Sequence, residues 1–236
     1  MVKDLRRQLE QYAELDYKQF NEKLLPGVWN VLGVRMPKLR EIAKQIAKKE
    51  ASAFLDEIED VVRKTELCYE EKMVYGLVIG YTKMSQDAYR QRLDTFVPVI
   101  NNWGVCDSCC MTYKWMKKQP EYWWDYLVGW IETDTEFGIR FGLVCMLNHF
   151  IEEAYIQKIF TVCNGLRNEG YYAKMAAAWL ISMCFVKFPE CTYDFLQTDE
   201  MDVFTHNKSI QKTCESYRVT KEWKAAVRAL KRKNEY

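Results

Sequence analysis

The stretch PEYWWDYLVGWIETDTEFGIRFGLVCMLNHF, residues 120–150, holds the pattern from which the architecture can be read. Pro120 stands where a helix can begin, because a first-turn residue has no helical partner for its N–H. Apolar and aromatic residues then recur at helical spacing through Ile131. ETDT interrupts them, with Thr133 or Asp134 placed to cap a second helix that runs on to Phe150. Two helices joined by so few residues are expected to fold back on each other.

The same punctuation recurs on either side. Pro37 opens MPKLREIAKQIAKKE (36–50), in which Leu39, Ile42, Ala43, Ile46 and Ala47 form one apolar stripe. Pro189 opens PECTYDFLQ, and Asn168 or Gly170 marks a break before YYAKMAAAWLISMCF. No segment alternates with the period of a strand. Roughly a dozen helices with short connections predict an all-α chain, an α-solenoid of HEAT-like antiparallel helix pairs, each about 40 residues long. Without a linker or low-complexity segment, residues 1–236 are expected to be a single HEAT-like repeat domain.

Composition fits this picture. Hydrophobic residues make up 49% and charged residues 28%, so the chain can bury a core and is not disordered. The net charge is only +1, yet it is unevenly spread. Residues 207–236 carry nine Lys/Arg against Glu215, Glu222 and Glu235, a net of +6, while residues 101–206 sum to −6. A basic end suits a polyanionic partner, and it equally suits a solvated terminal helix. The opening MVKDLRRQLEQ is charged from the start, and the most apolar stretch, YGLVIGY, is far too short to cross a membrane. The nine scattered cysteines are expected to be free thiols in the cytoplasm.

Residues 101–115, NNWGVCDSCCMTYKW, concentrate the chemistry. Trp103 and Asp107, four apart, lie on one helix face, and Lys114 lies two turns beyond Asp107. Arg140 follows Trp103 by 37 positions and Trp179 follows Arg140 by 39, each close to one repeat. Equivalent positions of successive repeats line one surface, so these four residues are expected to share a groove. An unpaired carboxylate within an apolar helix is costly to bury, which leaves Asp107 as an ion-pair partner of Arg140, a reactive group, or both. Cys106 and Cys109 form C-x-x-C, and Cys145 with His149 forms C-x-x-x-H, both within helical runs where zinc knuckles do not form. Packing beside the Trp103–Asp107 face is the expected role of Cys106, Cys109 and Cys110, with no metal. His149 and His206 are the only histidines, and no phosphate-binding glycine loop or kinase motif is present.

Five stretches taken in order, LGVRMPKLREIAKQIAK (32–48), NWGVCDS (102–108), FGIRFGLV (137–144), AKMAAAWL (173–180) and NKSIQKTCESYRV (207–219), resemble the bacterial DNA alkylation repair family of AlkD type over almost the whole chain. The resemblance implies HEAT-like repeats and a glycosylase that removes positively charged 3-methyladenine and 7-methylguanine. It places the family's W-x-x-x-D pair on Trp103 and Asp107, its groove arginine on Arg140 and its second groove tryptophan on Trp179. It makes Lys208, Lys212 and Arg218 candidate phosphate contacts, and Lys114, placed by its spacing from Asp107, is expected to bind DNA as well. No cofactor is implied, and the partner is double-stranded DNA with alkylated bases, bound by a monomer. The stretch KLLPGVW (23–29) departs from active relatives, offering Leu24 or Pro26 where they place an early aromatic, with Trp29 out of register. Two other readings stay open: a family member that binds DNA structure without cleaving, and a HEAT-like scaffold for other proteins.

Overall fold

In a computed structural model of the chain, whose described residues are 1–233, every regular element is helical. The helices are α1 (Val2–Gln11), α2 (Leu15–Leu24), α3 (Met36–Lys49), α4 (Ala51–Val62), α5 (Tyr69–Tyr81), α6 (Gln86–Phe96), α7 (Trp103–Cys110), α8 (Pro120–Ile131), α9 (Glu136–His149), α10 (Ile156–Gly165), α11 (Tyr171–Lys187), α12 (Pro189–Thr198), α13 (Val203–Glu215) and α14 (Lys221–Arg228). Pro37, Pro120 and Pro189 each sit in a first turn, as the sequence predicts. Packing gathers the helices into two compact units, Met1–Lys114 and the chain from Trp115 onward.

In the first unit α3, α5 and α7 pack side by side in chain order, with α4 and α6 against α5. α3 buries Leu39, Ile42 and Ala43 of the expected stripe. α5 is buried on nearly every side, which fits a sequence apolar around its circumference from Met73 to Ile79, while Glu70, Glu71 and Lys72 of its first turn are buried as well. Two glycines on α5 let its neighbours come close: a Cβ on Gly76 would lie 2.5 Å from Cys109 Sγ and strike the Phe96 ring, and one on Gly80 would strike Thr112. The buried Glu70 carboxylate accepts N–H bonds from Leu32 (2.9 Å), Gly33 (2.7 Å) and Val34 (3.2 Å). That carboxylate fastens the loop after α2, which turns through Gly27 (φ 79°) and Asn30 (φ 63°) and leaves Trp29 80% exposed.

In the second unit α9, α11 and α13 pack side by side in chain order, with α8 against α9, α10 and α12 against α11, and α14 against α13. This is a succession of helix pairs, the organisation expected of HEAT-like repeats. Ala173, Ala176, Ala177 and Ala178 are fully buried, so the alanines that thin α11 serve close packing between its neighbours. Trp123 and Trp124 are core residues, Trp123 lying edge-on to Trp115 at 4.8 Å and Trp124 lying against Tyr155 at 5.1 Å. The cap of α9 differs from expectation: Thr135 holds the N-cap position. Thr133 instead turns its hydroxyl to the Trp130 carbonyl (2.7 Å), which also accepts the Thr133 N–H (3.3 Å), and so closes α8.

Candidate active site

α7 is only eight residues long, and its start is fixed by side chains. Asn102 caps it, its Oδ1 accepting from Val105 N (2.9 Å). Trp103 donates its indole Nε1–H to the Leu24 carbonyl at the end of α2 (3.1 Å), which sets the ring's orientation. Asp107 follows one turn later, and both side chains are half-buried, between core and solvent. Cys106, Cys109 and Cys110 are buried on the other side, where Cys109 Sγ reaches the Met73 carbonyl (3.6 Å) and rests against Gly76. Burial pushes the Cys109 thiol well above its ordinary pKa, as suits a packing residue and not a nucleophile.

Lys114 is not on the face of Trp103 and Asp107 in the way the spacing predicts. α7 ends at Cys110, where Thr112 Oγ1 donates to the Cys109 carbonyl (2.7 Å). Tyr113 turns inward, its hydroxyl donating to the Gly76 carbonyl (3.3 Å). Lys114 therefore opens a separate short 3-10 segment, Lys114–Lys118, and is exposed there.

Arg140 and Trp179 lie in the second unit, on the adjacent helices α9 and α11. Arg140 is 6% exposed, and its Nη1 donates to the Tyr172 carbonyl (2.9 Å), with the guanidinium 6.0 Å from the Tyr172 ring. The Tyr172 N–H in turn donates to Glu136 Oε1 (2.5 Å), so the backbone of one residue ties the start of α11 to α9 at two points. Trp179 is half-buried, and Ser182 Oγ donates to its carbonyl (2.7 Å). Lys208 and Lys212 are one turn apart on α13 and half-exposed. Lys208 Nζ meets Gln211 Oε1 (2.9 Å) and lies 5.7 Å from the Phe204 ring. Arg218 is exposed beyond α13, its guanidinium resting on the Met183 sulfur of α11 (3.2 Å).

The structure thus brings Trp103 together with Asp107, sets Arg140 and Trp179 on neighbouring helices, and puts Lys208, Lys212 and Arg218 on and just past the next one. Sequence reasoning missed the Leu24 carbonyl as the anchor of Trp103 and Asn102 as the cap of α7. The second had a signal, Asn immediately before the helix; the first, a backbone contact distant in sequence, had none. Among the described residues no three His, Cys, Asp or Glu side chains gather to hold a metal ion. Among them also, no helix is long and apolar enough to cross a membrane.

An all-helical chain of successive helix pairs, with tryptophan, carboxylate and lysines on partly open helix faces, is of the class of repeat proteins that handle large partners. The sequence model of the DNA alkylation repair enzyme family matches residues 5–216, and the chain belongs to that family. It is accordingly an enzyme of alkylated-DNA repair, and DNA is its partner. No curated protein matches the chain significantly.

Proposed function

We propose that this repair enzyme is a DNA glycosylase that excises positively charged N3- or N7-alkylated purines from duplex DNA. What supports the reading is the half-buried pair Trp103–Asp107, held on a helix whose start is fixed by Asn102 and the Leu24 carbonyl. An alkylated purine of this kind already carries its charge, so it leaves as a neutral base and needs no general acid. The electron pair of the N-glycosidic bond departs with the base, and positive charge develops on the deoxyribose. Water adds at the anomeric carbon and gives its proton to solvent. A fixed carboxylate opposes the developing charge and orients that water. Tryptophan faces present negative quadrupole to the same cation.

In this reading Asp107 stabilises the cationic sugar, Trp103 and Trp179 offer ring faces, and Arg140 holds a backbone phosphate. Lys114, Lys208, Lys212 and Arg218 contact phosphates. Residues 1–236 act as one repeat domain, as a monomer in the cytoplasm, without cofactor. The test is release of 7-methylguanine from methylated duplex. Asp107→Asn is expected to lower the release rate by ~10²–10³-fold while duplex affinity stays within about twofold. Absence of release by the wild-type protein would sink the reading. One observation favours a binding-only member: Leu24, not an aromatic, stands at the end of α2 beside Trp103. That reading expects steep salt dependence of duplex binding with no release.

A further inference from the structure

Three cations of the second unit, Lys117, Lys187 and Arg218, line one open cavity of about 350 Å³. Arg218 lays its guanidinium on the sulfur of Met183. Lys187, one turn further along α11, sends Nζ to the Ile151 carbonyl just past the end of α9 (2.5 Å). The next residue, Glu152, faces Lys117 at 3.6 Å. Arg218 thus lies just past the end of α13, Lys187 is the last residue of α11, and Lys117, from the segment before α8, meets the end of α9 through Glu152; all three are exposed.

Local stability does not account for them. A helix C-terminus favours a lysine through its dipole by roughly 0.3–1 kcal/mol, which explains Lys187 alone. Arg218 lies beyond α13 and Lys117 lies in a short 3-10 segment. Among the described residues Lys187 and Arg218 make no ion pair, and Glu152 is the only carboxylate lining the cavity. A guanidinium resting on a thioether has a weak acceptor and most of its donors still to place. Exposed cations gathered along one open cavity suit an anion with charges repeated along its length.

We propose that Lys117, Lys187 and Arg218 form a row that grips the sugar–phosphate backbone of one DNA strand, with Glu152 holding Lys117 until a phosphate replaces it. This rests on DNA being the partner, and it stands whether or not the enzyme proves to be a glycosylase. Lys117 and Lys187 extend the phosphate contacts beyond those placed on α13 and Arg218. The row positions the duplex and reads no sequence, since it offers only charge.

The measurement is duplex affinity against NaCl concentration for the full chain, with variants Lys117→Ala, Lys187→Ala, Arg218→Ala and the triple. Each single change is expected to make the slope of log K against log salt shallower by about 1, and the triple by about 3. Glu152→Gln, which frees Lys117, is expected to tighten binding at low salt, an outcome that general damage to the fold does not produce. A triple variant with the wild-type slope overturns the row. Displacement of duplex by millimolar inorganic phosphate, beyond that by chloride at equal ionic strength, also overturns it in favour of a small-anion pocket. If the slopes change while the wild type releases no methylated base, the row holds and the glycosylase reading falls.

Discussion

α7 and α13 both carry proposed DNA-facing residues and both start at a polar cap, yet beyond those starts they are fixed in place by different means. α7 is set by contact between apolar surfaces: Cys109 against Gly76, with Cys106 and Cys110 also fully buried. α13 is set by a buried polar lattice. Ser209 Oγ donates to the Thr205 carbonyl (2.8 Å) and Thr213 Oγ1 to the Ser209 carbonyl (2.9 Å). His206 joins Asp199 Oδ2 through Nδ1 (2.7 Å) and the Leu230 carbonyl through Nε2 (2.9 Å). Arg232 also pairs with Asp199 (3.1 Å), and Asn207 exchanges two hydrogen bonds of 2.9 Å with the Arg232 backbone. The difference matches the tasks. A single carboxylate must sit at one spot, which close packing specifies well. Lysines meeting phosphates tolerate play in their own long side chains, provided the helix under them holds.

The largest effect is expected where the lattice of α13 loses its hub. Asp199→Ala takes the partner from the buried His206 Nδ1 and from the Met201 N–H and should cost about 3–5 kcal/mol. Calorimetry should show a midpoint lower by ~10 °C or more; a change under ~2 °C would show that the lattice is not what holds the helix. Next is Gly76→Val, which drives a side chain into Cys109 and Phe96. It should cost about 1–3 kcal/mol, lower the midpoint by roughly 3–10 °C and depress base release beyond what unfolding explains. Unchanged release from the folded fraction would break the link between packing and site.

The smallest effect sharpens the contrast through pH. Asn102, which caps α7, cannot titrate, whereas Asp202 caps α13. Burial pushes the Asp202 carboxyl up, but Thr205 and Lys174 outweigh it and leave it below its ordinary value of 3.8. A lowered folded value means stability that is present above 3.8 and is lost as pH falls through the folded value. Asp202→Asn, which keeps the cap oxygen and removes the charge, should lower the midpoint by ~1–2 °C at neutral pH. Melting curves should show that gap closing as pH falls below 3.8 and through the folded value.

Much of this architecture was legible in the sequence. First-turn prolines and apolar stripes gave helix existence, and the four-residue spacing put Trp103 and Asp107 on one face because α7 does span both. What the sequence hid is what tertiary contacts decide. Tyr113 ends α7 early by turning into the core, so Lys114 left its expected face. Thr133 and Thr135 divide the capping of two helices between them, a choice that local preference does not make. Thr205, Ser209 and Thr213 read as a polar, solvated helix, yet all three are buried because each hydroxyl finds an acceptor. Arg140 read as a groove arginine, and its burial against Tyr172 depends on a contact between distant segments. Of the basic terminal stretch, Glu235 lies outside the described residues.

The loop pinned by Glu70 gives the molecule an optical property. Of eight tryptophans, Trp29 is the only exposed one, and its backbone neighbourhood is fastened by three hydrogen bonds to one carboxylate. Its emission should lie at long wavelength and be reached first by a dissolved quencher, while the other seven report from drier surroundings. Anything that lands on the loop, a nucleic acid or another protein, would shield that one indole and announce itself without a label.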